Sequence, residues 1–181
     1  MNKPFLTSFA ILCVLFSVLL MGLVLDVPKV KASPAVYIRS NGSVDPPTAP
    51  ISSVDNVTYT FNDNISDQIV VEKSNIIIDG AGYTVEGPGW GNGFRLYNVS
   101  NVTIKNANVK NFYHGIYLNS TSGSSILENS IMANIYDGIR LEQSSGNTIS
   151  RNNATDNGND GIKLYNDSNN NVISENKMIR N

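Results

Sequence analysis

The chain is poor in the residues on which many small folds and sites depend. It has one cysteine and one histidine in 181 residues, and only 15% of its residues are charged. The single cysteine, Cys13, lies inside an apolar stretch, so a disulfide framework is excluded. One imidazole and one thiol leave too few nitrogen and sulfur donors for an ordinary zinc or copper centre. A net charge of −2 gives no basic footprint, which argues against nucleic acid as a partner. Helical periodicity is missing as well. No apolar spacing of three and four residues persists, and asparagine, a poor helix former, occurs 26 times.

The one long uncharged run covers residues 5–25 and follows Lys3. It is long enough to span a bilayer, and Val30-Lys31-Ala32 offers a small-residue cleavage site before Ser33. Residues 1–32 are therefore read as a signal peptide or an uncleaved signal anchor. The rest of the chain is expected outside the cytoplasm, secreted or at the cell surface. Membrane contact is expected only through residues 5–25, if they are retained.

What is abundant is periodic. Gly93-Phe94-Arg95-Leu96, Gly115-Ile116-Tyr117-Leu118, Gly138-Ile139-Arg140-Leu141 and Gly161-Ile162-Lys163-Leu164 step by 22, 23 and 23 residues. Asn106, Asn129, Asn152 and Asn176 form a second column, and Asn111, Asn134, Asn157 and Asn181 a third. Ile104, Ile126, Ile149 and Ile173 form a fourth. A fixed period of this size marks stacked repeats. Within a unit, Ile116 and Leu118 are two apart and share a face, with Tyr117 on the other. Three short strands and their turns fill such a unit. Leucine-rich repeats would need several leucines per unit, and each unit here has one at the marker strand.

The pattern predicts an all-β fold, a parallel β-helix of about 23 residues per coil over residues 69–181. Residues 33–68, with the Asp45-Pro46-Pro47 loop, are expected to cap its N-terminal end. The Phe94, Ile104 and Leu96 rows should face inward, and the asparagine columns should form amide ladders at the corners. The next glycine of the period would fall about four residues past Asn181, so further coils or another chain are expected against the C-terminal end.

The segments Asn147-Thr148-Ile149-Ser150-Arg151-Asn152 and Asn171-Val172-Ile173-Ser174-Glu175-Asn176 resemble right-handed parallel β-helix repeats. So do the Gly-Ile-x-Leu strands and the opening run from Ile76 to Val85. The similarity is to NosD-like and carbohydrate-binding/sugar-hydrolase proteins, including archaeal and bacterial surface members. It implies a right-handed coil. It also implies carbohydrate binding, polysaccharide cleavage, or a part in maturing an exported metalloenzyme. The matching residues are structural ones, so no functional role is carried over residue by residue.

Two rows could carry chemistry. Asn92, His114, Asp137 and Asp160 each precede a repeat glycine. Asp137 and Asp160 on adjacent coils would be about 4.8 Å apart at the backbone. Carboxylates so placed suit acid and nucleophile work on a glycosidic bond, or Ca²⁺ binding, although turn chemistry alone also predicts Asp and Asn there. The second row is Arg95, Tyr117, Arg140 and Lys163, flanked by Tyr113 and Tyr136 on one side and Tyr97 and Tyr165 on the other. Stacked like charges disfavour one another. This face is therefore read as a site for an extended anionic polysaccharide or cell-envelope component, with the glycine column keeping the backbone accessible. Eight Asn-x-Ser/Thr sequons, at Asn41, Asn56, Asn64, Asn98, Asn101, Asn119, Asn153 and Asn166, are candidate glycosylation sites in an exported chain. The combined reading is an exported, glycosylated, non-catalytic β-helix that binds carbohydrate or builds the envelope. A polysaccharide lyase or hydrolase is one alternative and an accessory factor for an exported metalloenzyme, as the resemblance implies, is another; no cofactor beyond Ca²⁺ is expected.

Overall fold

The computed structural model describes residues 35–181. The expected signal or anchor segment, with Cys13, lies outside the described residues. β-Branched and apolar residues at alternate positions form short strands that stack into three sheets. In the first sheet, Val36–Ile38, Ile69–Val71, Asn92–Tyr97, His114–Asn119, Ile139–Glu142 and Ile162–Tyr165 pair in parallel in that order. In the second, the order is Thr58–Phe61, Ile76–Asp79, Val102–Lys105, Ser125–Leu127, Thr148–Ser150 and Val172–Ser174. In the third, it is Thr84–Glu86, Asn108–Lys110, Ser130–Met132, Asn153–Thr155 and Lys177–Ile179. Each pass through the three sheets is one coil of a parallel β-helix, as the period predicts.

The expected interior rows are interior. Phe94, Ile116 and Ile139, Leu96, Leu118 and Leu141, and Ile104, Ile126 and Ile149 are all 0% exposed. Their counterparts in the last described coil, Leu164 at 39% and Ile173 at 42%, pair with a neighbouring coil on one side among the described residues. At the other end, Val36–Ile38 and Thr58–Phe61 already lie in register with the later coils. Val44–Asp45 and Ile51–Ser52 run antiparallel along their outer edges. Those short antiparallel strands cover backbone groups that would otherwise template another chain.

The asparagine columns need one correction. Asn129, Asn152 and Asn176 do form a buried ladder, with Nδ2 of each donating to Oδ1 of the next at 3.0 Å. Asn134, Asn157 and Asn181 form a second, at 2.8 Å per step. Asn106 and Asn111 do not belong to them. Ala107 and Phe112, both buried, occupy those positions, and their backbone N–H groups donate to Asn129 and Asn134. Asn106 and Asn111 sit one residue earlier, at φ +54° and +60°, where the chain turns its corner. Glu128, Arg151 and Glu175 take the first of these corner positions in later coils, and Ala133, Asp156 and Arg180 the second. The step across these strands is 22 residues, as in the Val109–Ile131 pairing. It returns to 23 because Ile135 is inserted between Asn134 and Tyr136, where Phe112 is followed directly by Tyr113. A third ladder, Asn147 to Asn171, follows Ser124 in the same way.

Candidate functional site

The site begins with the repeat glycines. A β-carbon on Gly115 would lie 2.4 Å from Ile131 Cγ2 and 2.9 Å from Asn134 Nδ2, both interior atoms. Gly115 therefore faces inward, and so does Ile116, which is 0% exposed. Two successive inward residues break the strand's two-residue alternation. The residue before the glycine and the residue two after it then share the outer face. This brings His114 beside Tyr117, Asp137 beside Arg140, and Asp160 beside Lys163. The expectation that the glycine column opens the outer backbone to a ligand is thus reversed. The glycines face the interior, and their effect on the surface is to pair side chains three residues apart.

An aromatic cluster results. Tyr113 and Tyr136, on adjacent coils, stack with ring centroids 5.4 Å apart and planes within 3°. His114 meets both edge-on, at 4.7 and 5.6 Å, and lies nearly parallel to Tyr117 at 5.7 Å. The two tyrosines remain 45% and 37% exposed. With Asn92, Arg140 and Glu142 these residues line a shallow cleft of about 450 Å³.

The polar groups of the cleft are held by one another. The Tyr117 hydroxyl donates to Glu142 Oε2 at 2.9 Å and accepts from Asn119 Nδ2 at 2.9 Å. Burial first, then the Glu142 carboxylate, pushes the Tyr117 phenol above its ordinary value. Arg140 bridges Asp137 at 3.3 Å and Glu142 at 3.5 Å. Burial opposes its charge, but the two carboxylates together outweigh that and raise its pKa. His114 Nδ1 accepts the backbone N–H of Asp137 at 3.3 Å, which places the neutral ring's proton on Nε2. Burial lowers the His114 pKa to about 4, against the opposing pull of Asp137.

Asp137 and Asp160 are neighbours, as the row implied, but they are not a free pair. Asp137 is 0% exposed. Its Oδ1 accepts Asn159 Nδ2 at 2.8 Å and the Asp160 N–H at 3.3 Å, and its Oδ2 faces Arg140 and His114. Asp160 Oδ2 accepts Lys163 Nζ at 2.7 Å and the same Asn159 amide at 2.9 Å. A retaining hydrolysis needs two carboxylates open to substrate. A Ca²⁺ ion at this point would have to displace Arg140 or Lys163.

Tyr113, Tyr117, Tyr136 and Arg140 of the outward rows line the cleft. Lys163 lies next to it, with Nζ 6.0 Å from the Tyr136 ring centroid. Arg95 pairs in register with Tyr117 but stays exposed beside Tyr97. Asn92, from the row that precedes the repeat glycines, also lines the cleft, and Glu142 is a lining residue that the sequence did not single out. Glu142 occupies the Tyr97 and Tyr165 row, where the alternation already placed it facing outward. Of the sequons, Asn41, Asn56, Asn64, Asn98, Asn101 and Asn166 are exposed, whereas Asn119 and Asn153 are partly buried within strands.

A family model described as periplasmic copper-binding protein (NosD) matches residues 29–181. No curated protein and no solved structure matches the chain. The periplasmic description agrees with the extracytoplasmic location expected from residues 1–32. The copper description does not fit the cleft. Its only imidazole spends Nδ1 on a backbone N–H, its nearest carboxylate faces Arg140, and no thiol or thioether lines it. Among the described residues no three His, Cys, Asp or Glu side chains converge. Copper sites want several nitrogen or sulfur ligands.

Proposed function

The chain belongs to the NosD family of parallel β-helix proteins, and on that premise we propose that its aromatic cleft binds a glycan outside the cytoplasm without cleaving it. The observation that carries this reading is the exposed, stacked Tyr113–Tyr136 pair beside fixed polar groups. Flat aromatic faces pack against the C–H faces of sugar rings, and oriented carboxylate, amide and guanidinium groups match their hydroxyls. The groups are held in place before a ligand arrives, which lowers the ordering cost of binding. Asp137 and Asp160, the carboxylates best placed for cleavage, are committed to Arg140, Lys163 and Asn159. Glycosylation at the exposed sequons belongs to the same reading of an exported surface protein, and intact mass before and after deglycosylation reports it.

Affinity electrophoresis through gels holding a panel of polysaccharides tests the proposal. Retardation by at least one glycan, lost in both Tyr113→Ala and Tyr136→Ala, is the expected result. Release of oligosaccharide, or retardation indifferent to both substitutions, would contradict it.

The family match favours a second reading, in which the chain assists an exported metalloenzyme. That reading predicts no glycan retardation, together with lowered copper in the exported enzymes of a strain lacking the chain.

A further inference from the structure

We infer that the glycan taken by this cleft is uncharged. The inference rests on the glycan-binding reading above and specifies its substrate class. An anionic ligand is called for only if the outer-row cations Arg95, Arg140 and Lys163, of which Arg140 and Lys163 pair on adjacent coils, lack partners of their own. In the folded protein Arg140 has two carboxylates, Asp137 and Glu142, and Lys163 has Asp160 at 2.7 Å. These three cations and three carboxylates cancel on the face as a whole. Arg95 is exposed beside Tyr97 and is not part of the cleft lining.

Within the cleft the balance leans the other way. Glu142 is itself a lining group, while its partner Arg140 is shared with the fully buried Asp137. His114 is neutral, because its imidazole is buried and its Nδ1 accepts a backbone N–H. A uronate or sulfate entering here would meet the Glu142 carboxylate and no unpaired cation, and taking such a group out of water without a partner is costly. A sugar hydroxyl meets the reverse situation. It can donate to Glu142 and accept from Arg140 or from the His114 Nε2–H, while a ring face lies on Tyr113 or Tyr136. The chemistry that fits is a neutral hexose or pentose polymer, recognised by stacking and hydrogen bonds.

The test titrates the intact, tag-free exported protein by calorimetry with neutral oligosaccharides (xylan, mannan, glucan and galactan fragments). Acidic ones (polygalacturonate, alginate and hyaluronan fragments) serve as the comparison. Each is run at about 20 mM and about 300 mM salt, because screening separates ionic from neutral recognition. The inference expects a neutral oligosaccharide to bind at least about tenfold more tightly than any acidic one, with affinity changing less than about twofold between the two salts. It also expects Glu142→Gln to raise the affinity for acidic fragments. Tighter binding of an acidic glycan that fades with salt overturns this inference and leaves the glycan-binding reading standing. Binding of neither class, by a protein whose circular dichroism shows it folded, overturns both.

Discussion

The side-chain nitrogen of Asn134 lies 2.9 Å from the point where a β-carbon on Gly115 would sit. Asn157 stands in the same relation to Gly138, and Asn181 to Gly161, again at 2.9 Å. Two of the columns that mark the repeat are therefore one device. The inner amide ladder takes the space beneath the glycine, and the glycine's inward turn sets which outer residues meet. Substituting Gly138 by Ala places a methyl group 2.6 Å from the Gly161 carbonyl as well. It is expected to cost about 1–3 kcal/mol, as overpacking does. Urea denaturation measures this, and an unchanged midpoint would mean that the coil spacing yields freely.

The ladders predict a contrast between asparagines that look alike in sequence. Asn152 Oδ1 accepts both the backbone N–H and Nδ2 of Asn129, and its Nδ2 donates to Ile126 O and to Asn176 Oδ1. Asn152→Ala leaves several buried groups unpaired, and each costs roughly 1–3 kcal/mol. Asn111→Gly, at a corner with φ +60°, should change stability by less than about 1 kcal/mol, because glycine adopts that conformation freely. Equal losses at the two positions would contradict the assigned register.

That contrast marks how far the sequence could be read. Strand rows such as Ile104–Ile126–Ile149 were legible because apolar alternation and a step of 22 or 23 residues both report burial. The placement of Asn106 and Asn111 was not, since a 22-residue step followed by the Ile135 insertion imitates a regular period of 23. The ion pairs were present in Asp137-Gly138-Ile139-Arg140 and Asp160-Gly161-Ile162-Lys163. Simple alternation assigns residues three apart to opposite faces, and only the inward glycine brings them together. His114 was visible as the lone histidine, but its neighbours Glu142 and Asn92 enter from other coils.

Arg140 is expected to matter for folding before it matters for binding. Asp137 is 0% exposed, and Arg140 supplies its charge partner at 3.3 Å. Arg140→Ala should destabilise the protein by about 3–5 kcal/mol, the cost of stranding a buried charge. Adding Asp137→Asn should recover part of it. A loss below about 1 kcal/mol for the single variant would show that solvent reaches Asp137.

His114 makes stability depend on pH. Its folded pKa of about 4 lies below the ordinary 6.5, so between those values the unfolded chain binds the proton and the folded protein does not. The contribution is fully present above about pH 6.5, declines as pH falls, and levels off below about pH 4. The total is on the order of a few kcal/mol. His114→Asn keeps an acceptor for the Asp137 N–H, as Asn92 occupies the same row one coil earlier, and removes the titration. Urea midpoints at pH 7.5 and 4.5 should converge in the variant, and an equal fall in both proteins would exclude His114 as the source.

The mismatch between the donor set and copper is measurable directly. Tag-free protein exposed to Cu(I) or Cu(II) and dialysed is expected to retain far less than one equivalent, because the cleft offers one imidazole nitrogen. Retention of a full equivalent, abolished by His114→Asn, would contradict the assignment of the cleft to a glycan.

Ligand binding against Tyr113, His114 and Tyr136 is testable at one residue, because His114 is the lone histidine. In tag-free protein the carbon-bound imidazole protons give a single NMR spin system, belonging to His114. Titration with a bound neutral oligosaccharide should shift that resonance saturably, on the same curve as the calorimetric isotherm, and Tyr136→Ala should abolish the shift. An oligosaccharide that binds by calorimetry while the His114 resonance stays in place would contradict the claim.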